Sequence, residues 1–194
     1  MLKRAAPGID AVVVGASAGG VEAVGTLLSA LPHDFTPAVI VVMHVPATGE
    51  SLLVSVLAPR CALSVREASD KEAICGGAVY VAPPGYHLLV EPDRSFALSI
   101  DGPVNYSRPS IDVLFESAAY AYRERLLGIV LTGANADGAE GLARIRAFGG
   151  LAWVQDPETA YASLMPSSAM ARAGADGIFS LHDMAAELSA VHAT

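Results

Sequence analysis

A short, unbroken apolar run followed by a stretch with apolar residues three and four apart recurs along this chain, and few folds accommodate that repeat. Ala11-Val12-Val13-Val14 is the first run, and Val21, Val24, Leu27, Leu28 and Leu31 behind it fall on one face of a helix. Ala38 to Met43 is a second run, with Ser51 to Leu57 as its helix, and Leu63 to Arg66 and Ala78 to Ala82 read as further strands. His87 to Val90 and Phe96 to Ile100 flank Glu91-Pro92-Asp93-Arg94, a turn sequence, so that pair is expected to lie antiparallel at the periphery. Ser110 stands where a cap belongs for a helix whose stripe is Ile111, Leu114, Phe115, Ala118, Ala119 and Tyr122. Gly128 to Leu131 is a strand, and Leu142, Ile145 and Phe148 mark a helix closed by Gly149-Gly150. Leu151 to Val154 and Ile178-Phe179 are the last strands, each followed by helical sequence. Strands apolar on both faces must be covered on both. The pattern therefore predicts an α/β fold: three layers, a doubly wound, mostly parallel sheet with helices on both faces, and a peripheral antiparallel hairpin.

No internal repeat, low-complexity tract or linker divides the 194 residues, so one domain over 1–194 is expected, with its core over about 9–192. A chain 53% hydrophobic and only 16% charged is not a disordered one. Membrane insertion is not expected, because no run approaches the ~20 apolar residues of a spanning helix. The longest, Ala38 to Val45, contains His44 and is bounded by Pro37 and Pro46. Twelve basic against twenty acidic residues give a net charge of −8, which repels phosphate backbones and argues against a nucleic-acid partner. Cys61 and Cys75 lack a histidine or second cysteine pair at metal-ligand spacing and read as small buried hydrophobes. The N-terminus has no apolar stretch of signal-peptide length, which makes the cytoplasm the default location.

Three sites carry polar residues where the strand-helix pattern breaks. Gly15-Ala16-Ser17-Ala18-Gly19-Gly20 joins a strand to a helix and matches the G-x-S-x-G nucleophile elbow in the context that pattern needs. Small neighbours allow a tight turn, and the helix N-terminus behind it offers free N–H groups to a developing oxyanion. Ser17 can also be read as a plain helix cap. A nucleotide loop is disfavoured, since the spacing is not G-x-G-x-x-G and no Gly-Lys-Ser/Thr is present. Met43-His44-Val45-Pro46 puts His44 at the C-terminal edge of a strand, where open α/β sheets place ligands. An imidazole there can be a general base or a hydrogen-bonded structural residue. Leu131-Thr132-Gly133-Ala134-Asn135-Ala136-Asp137-Gly138-Ala139-Glu140-Gly141 again leaves a strand and enters a helix. Asp137 with Glu140 three residues on resembles a capping box. An EF-hand loop fails, because its first and twelfth ligand positions would fall on Gly133 and Arg144. As a triad acid, Asp137 would orient His44 and stabilise its imidazolium. Serine, histidine and aspartate after three different parallel strands make a candidate triad of Ser17, His44 and Asp137.

The blocks Val-Gly-Ala-Ser-Ala-Gly-Gly-Val-Glu-Ala from Val14, Met-His-Val-Pro from Met43 and Leu-Thr-Gly-Ala-Asn-Ala-Asp-Gly-Ala-Glu-Gly from Leu131 resemble the catalytic domain of CheB methylesterases. Tyr80 to Gly85, Arg108 to Phe115 and Met165-Pro166 match further stretches, so the resemblance runs from about Ile9 to the C-terminus. It implies a serine hydrolase that removes methyl groups from γ-glutamyl methyl esters of chemoreceptor-like proteins, releasing methanol, with glutamine deamidation as a second activity. By the same resemblance Ser17, His44 and Asp137 are nucleophile, base and acid. Backbone N–H groups near Ala18 and Gly19 would hold the oxyanion, and no metal or organic cofactor is implied. The implied partner is a methylated chemoreceptor, met by loops at Pro46 to Gly49 and around Tyr106 and Arg108, with a separate response regulator as a further candidate.

Three departures bear on these expectations. Ala18 stands where the family often has threonine, and Ala134 where it often has methionine, so a hydroxyl is missing beside the nucleophile and the pocket wall is smaller. Typical members carry an N-terminal receiver domain. This chain begins almost at the first strand, so a stand-alone catalytic domain without phosphorylation control in the same chain is expected, unless it is a fragment. An esterase or amidase of altered specificity, or a non-catalytic partner-binding module of the same fold, remain alternatives.

Overall fold

Seven parallel strands form the central sheet of the computed structural model, which describes residues 8–44 and 52–191. They are β1 (Ala11–Ala16), β2 (Ala38–Met43), β3 (Ser64–Glu67), β4 (Ala78–Val81), β7 (Leu126–Val130), β8 (Leu151–Gln155) and β9 (Gly177–Phe179), in the order β3-β4-β2-β1-β7-β8-β9. β5 (His87–Val90) and β6 (Phe96–Ser99) pair antiparallel as a separate ribbon. Arg94 N–H closes its turn onto the Glu91 carbonyl at 2.9 Å.

Side chains alternate across the sheet, and each face has its own core. Ala11 and Val13 of β1, with Ala38, Ile40 and Val42 of β2, pack beneath α3 (Ile111–Tyr122), α4 (Ala139–Ala147), α5 (Leu164–Ala173) and the hairpin. Val12, Val14 and Ala16, with Val39, Val41 and Met43, pack against α1 (Gly20–Ser29), α2 (Leu53–Leu57) and α6 (Leu181–Ser189). Every residue of β1, β2 and β7 is buried, which is why these strands read as continuous apolar runs and not as alternating ones. The three-layer, doubly wound fold with a peripheral hairpin is the architecture expected. Among the described residues no helix is long and apolar enough to cross a membrane.

The differences are local. Val21 is 39% exposed, because the buried stripe of α1 is centred on Ala23, Val24, Leu27 and Leu28. Ile100 lies beyond the end of β6 and is exposed. Ser51, expected to start the second helix, lies outside the described residues, as does the loop 46–49. Cys75 is exposed and Cys61 half-buried, contrary to the buried reading: both lie in connections beside the edge strand β3, and neither is bridged.

Candidate active site

The sheet order reverses at β1. The chain runs from β1 through β2 to the edge strand β3, inserts β4 between β3 and β2, then crosses to place β7 on the other side of β1, and such a switch point opens a crevice at the C-terminal strand ends. Ala16 of β1 is level with Met43 of β2, and Gly15 with Val130 of β7. Ser17 and His44 are therefore the next residues on neighbouring strands, and Asp137 arrives on the loop from β7 to α4.

The turn after β1 is tight. Ser17 N–H donates to the Thr132 carbonyl at 2.9 Å, and the Ser17 carbonyl accepts Gly20 N–H at 2.7 Å. Thr132 also donates its hydroxyl to the Ala18 carbonyl at 2.8 Å, tying the elbow to the end of β7. Gly19 occupies the cap position of α1 with φ of 77°, a left-handed conformation that costs glycine little. A Cβ there would also stand 2.8 Å from the Cβ of Tyr161. Ser17 is thus not the cap of α1. Its Oγ faces His44 Nδ1 at 3.2 Å, while the other ring nitrogen, Nε2, is 2.8 Å from Asp137 Oδ2. With Nε2–H donating to the carboxylate, Nδ1 carries the lone pair of the neutral ring and presents it to the serine hydroxyl. The nitrogens play the opposite parts from the familiar serine-protease arrangement, in which Nε2 faces the serine.

Asp137 is fully buried, and its carboxylate is saturated with donors. Oδ2 also accepts Ile111 N–H at 2.6 Å, and Oδ1 accepts the Ser110 hydroxyl and Asn105 Nδ2 at 2.8 Å each and Asp112 N–H at 3.2 Å. Asp137 therefore caps α3, a helix distant in sequence. The capping-box reading fails: Gly138 holds the cap position of Asp137's own helix α4, and Glu140 pairs instead with Arg172 at 2.6 Å. Ser110 sits at the cap position of α3 but makes no side-chain cap bond, because its hydroxyl is given to Asp137. Gly15 makes this approach possible, since a Cβ on it would stand 2.4 Å from Ile111 Cγ2.

A second buried carboxylate lies behind the first. Asp112 Oδ1 accepts Gly141 N–H at 2.7 Å, and Asn105 Nδ2 bridges Asp112 Oδ2 and Asp137 Oδ1 at 2.8 Å each. Burial pushes the Asp112 carboxyl up to about 6; the Gly141 N–H opposes this and the nearby Asp137 charge adds to it. Burial pushes Asp137 in the same direction, but the hydrogen bonds from His44, Asn105, Ile111 N–H and Ser110 outweigh it and hold Asp137 below its ordinary value. The donors around Asp137 thus favour its ionised form, while burial favours the neutral form of Asp112.

The structure brings the three sequence-derived candidates together in one hydrogen-bonded chain. The sequence reading missed Asn105 and Asp112, and Asn135, whose Nδ2 lies 3.2 Å from His44 Nδ1. Asp112 had a signal: it is a charged residue within the buried side of α3, beside Ile111 and one turn before Phe115. Asn105 lies in an irregular loop and had none. The Ala18 and Gly19 N–H groups have no acceptor among the described residues. Among those residues, too, no group of three His, Cys, Asp or Glu side chains is arranged to hold a metal ion.

Known proteins resemble this chain over most of its length. It matches the CheB methylesterase family over residues 12–188. A putative protein-glutamate methylesterase/protein-glutamine glutaminase of Leptospira interrogans is 48% identical over 176 residues, 91% of this chain and 91% of that protein. The protein-glutamate methylesterase/protein-glutamine glutaminase 1 of Cupriavidus metallidurans is 39% identical over 188 residues, and there the match takes in 94% of this chain but only 52% of the relative. Among solved structures, the crystal structure of the Thermotoga maritima CheB methylesterase catalytic domain superposes with a TM-score of 0.88 at 29% identity, covering 93% of this chain and 97% of that one.

Proposed function

We propose that this chain, which belongs to the CheB methylesterase family, hydrolyses γ-glutamyl methyl esters of chemoreceptor-like proteins with Ser17 as nucleophile, His44 as base and Asp137 as orienting acid. The observation that carries the reading is the chain Ser17 Oγ–His44 Nδ1, 3.2 Å, and His44 Nε2–Asp137 Oδ2, 2.8 Å, at the switch point of the sheet. His44 Nδ1 takes the Ser17 proton as Oγ attacks the ester carbonyl. The electron pair of the C=O bond moves to oxygen, toward the free N–H groups of Ala18 and Gly19. His44 returns the proton to the departing methoxide, and methanol leaves. Water, deprotonated by His44, then cleaves the acyl-enzyme and restores glutamate and Ser17. A glutamine side chain would follow the same steps with ammonia leaving.

Surface chemistry supports a protein substrate. Tyr106 is fully exposed next to Asn105, which touches Asp137, and Tyr161 is 84% exposed against the elbow at Gly19, so two aromatic rings rim the site. Arg108 donates to the carbonyls of Ile100 and Asp101 at 2.7 and 3.0 Å, holding the Tyr106 loop. A cytoplasmic receptor tail as substrate, with a response regulator as partner, belongs to this reading. The test is labelling by a serine-directed fluorophosphonate. One equivalent should attach at Ser17, vanish in Ser17→Ala and slow strongly in His44→Ala; a folded protein that stays unlabelled would remove the enzymatic reading.

A further inference from the structure

Asn135 faces the same imidazole nitrogen that Ser17 does. Its Oδ1 accepts Asp137 N–H at 3.1 Å, which turns Nδ2 toward His44 Nδ1 at 3.2 Å. The opposite amide orientation would set an NH2 group against that backbone N–H, so the chemistry selects the observed one. Because Nε2–H is given to Asp137, Nδ1 of the neutral ring has a single lone pair, and the Asn135 amide and the Ser17 hydroxyl share it at equal distance. An amide nitrogen carries two N–H donors. The second N–H of Asn135 has no acceptor among the described residues, and the side chain is only half-buried.

This arrangement changes sign during the reaction. When Nδ1 takes the serine proton it becomes a donor, and the Asn135 N–H that rested on it loses its acceptor and faces another N–H. At that same moment the carbonyl oxygen of the group joined to Ser17 becomes an oxyanion, and Ser17 Oγ and the Asn135 amide lie against the same imidazole nitrogen, each at 3.2 Å. We propose that the Asn135 side-chain amide is an oxyanion donor in this site, acting beside the backbone N–H groups of Ala18 and Gly19. Its contact with the reacting oxygen forms only as charge develops, so it lowers the barrier and leaves ground-state binding almost unchanged. No proton leaves the amide; the bonds made and broken are those of serine attack. The inference rests on the triad reading above and adds to it a third source of donors that lies outside the elbow.

Two substitutions separate this role from a structural one. Asn135→Asp keeps an oxygen for Asp137 N–H and removes both donors, whereas Asn135→Ala removes the whole group. With p-nitrophenyl acetate, both variants should lose about 10²–10³-fold in kcat, with KM changed less than about threefold. Both should also be labelled more slowly by a fluorophosphonate, with thermal unfolding of Asn135→Asp near that of the wild type. Asn135→Ser, with a shorter donor, should recover part of kcat. If Asn135→Asp turned over and was labelled at the wild-type rate, Asn135 would be only a structural anchor and the proposal would fall, while labelling of Ser17 in the wild type would leave the triad standing. If the wild type were not labelled at all, the triad would be lost and the inference with it.

Discussion

Asp137 is more than the partner of a histidine, and its removal should be visible in a protein that is doing no chemistry. The carboxylate accepts from His44 Nε2, Asn105 Nδ2, the Ser110 hydroxyl and the N–H groups of Ile111 and Asp112. Three of these five donors belong to the start of α3, which covers one face of the sheet. Loss of a helix N-cap alone costs about 0.5–2 kcal/mol. Each buried donor left unpaired costs about 1–3 kcal/mol, partly offset because the desolvated charge is gone as well. Removal of one member of a buried ionic cluster typically costs about 3–5 kcal/mol, and we expect that range for Asp137→Ala. At about 2–4 °C per kcal/mol for a domain of this size, the melting temperature at pH 7 should fall by roughly 10 °C. Ser17→Ala should differ from wild type by less than about 2 °C, because among the described residues its hydroxyl meets only the half-buried His44 ring. Asp137→Asn, with one acceptor oxygen where two are used, should lie between. Since the Asp137 pKa is lowered in the fold, the stability it supplies is present above its ordinary value of 3.8 and is lost as pH falls through the folded value, so the gap between wild type and Asp137→Ala should narrow in acid. Calorimetric melts of the three variants across pH test this. An Asp137→Ala protein melting with Ser17→Ala would refute the capping account.

Asp112 should show the opposite pH dependence. Its folded pKa of about 6 lies above the ordinary 3.8, so its contribution is fully present below 3.8 and is lost as pH rises through about 6. That amounts to about 3 kcal/mol at most, from about 1.4 kcal/mol per pKa unit. The melting temperature of wild type should therefore fall relative to that of Asp112→Asn, which does not ionise, as pH rises through that window; a difference flat from pH 4 to 6.5 would contradict it. Gly141→Ala should destabilise α4 although alanine favours helices by about 1 kcal/mol. The new Cβ would stand 2.5 Å from Phe115 Cβ and 3.1 Å from Asp112 Cα, and overpacking of this kind costs about 1–3 kcal/mol. A melting temperature at or above that of the wild type would count against the close α3–α4 contact.

The parts of this protein that local chemistry decides were legible, and the parts that tertiary approach decides were not. Val12 to Val14 and Ala38 to Met43 announce strands because both their faces are buried. Ser17 and His44 stand out because each breaks a pattern just where such a strand ends, and Asp137 because it lies in the polar loop between β7 and the next helix. The role of Ser110 was misread because a serine before an apolar stripe carries the same local signal whether it caps its own helix or lends its hydroxyl to a distant carboxylate. Asp137 and Glu140 have capping-box spacing, but Gly138, with φ of 95°, takes the cap position and frees Asp137 to reach α3. Asn105 meets two aspartates across a fold-level gap that no spacing encodes. Asn135 lay within a motif already singled out, yet its contact with His44 depends on the register of β2 against β1 and β7.

The most direct test of the account is methanol release from a methylated chemoreceptor fragment by wild type, Ser17→Ala and His44→Ala. We expect release by the wild type and a loss of several orders of magnitude in both variants, with all three proteins folded. Release that persisted in Ser17→Ala would contradict the serine mechanism, and a folded wild type that released no methanol would contradict the assigned substrate.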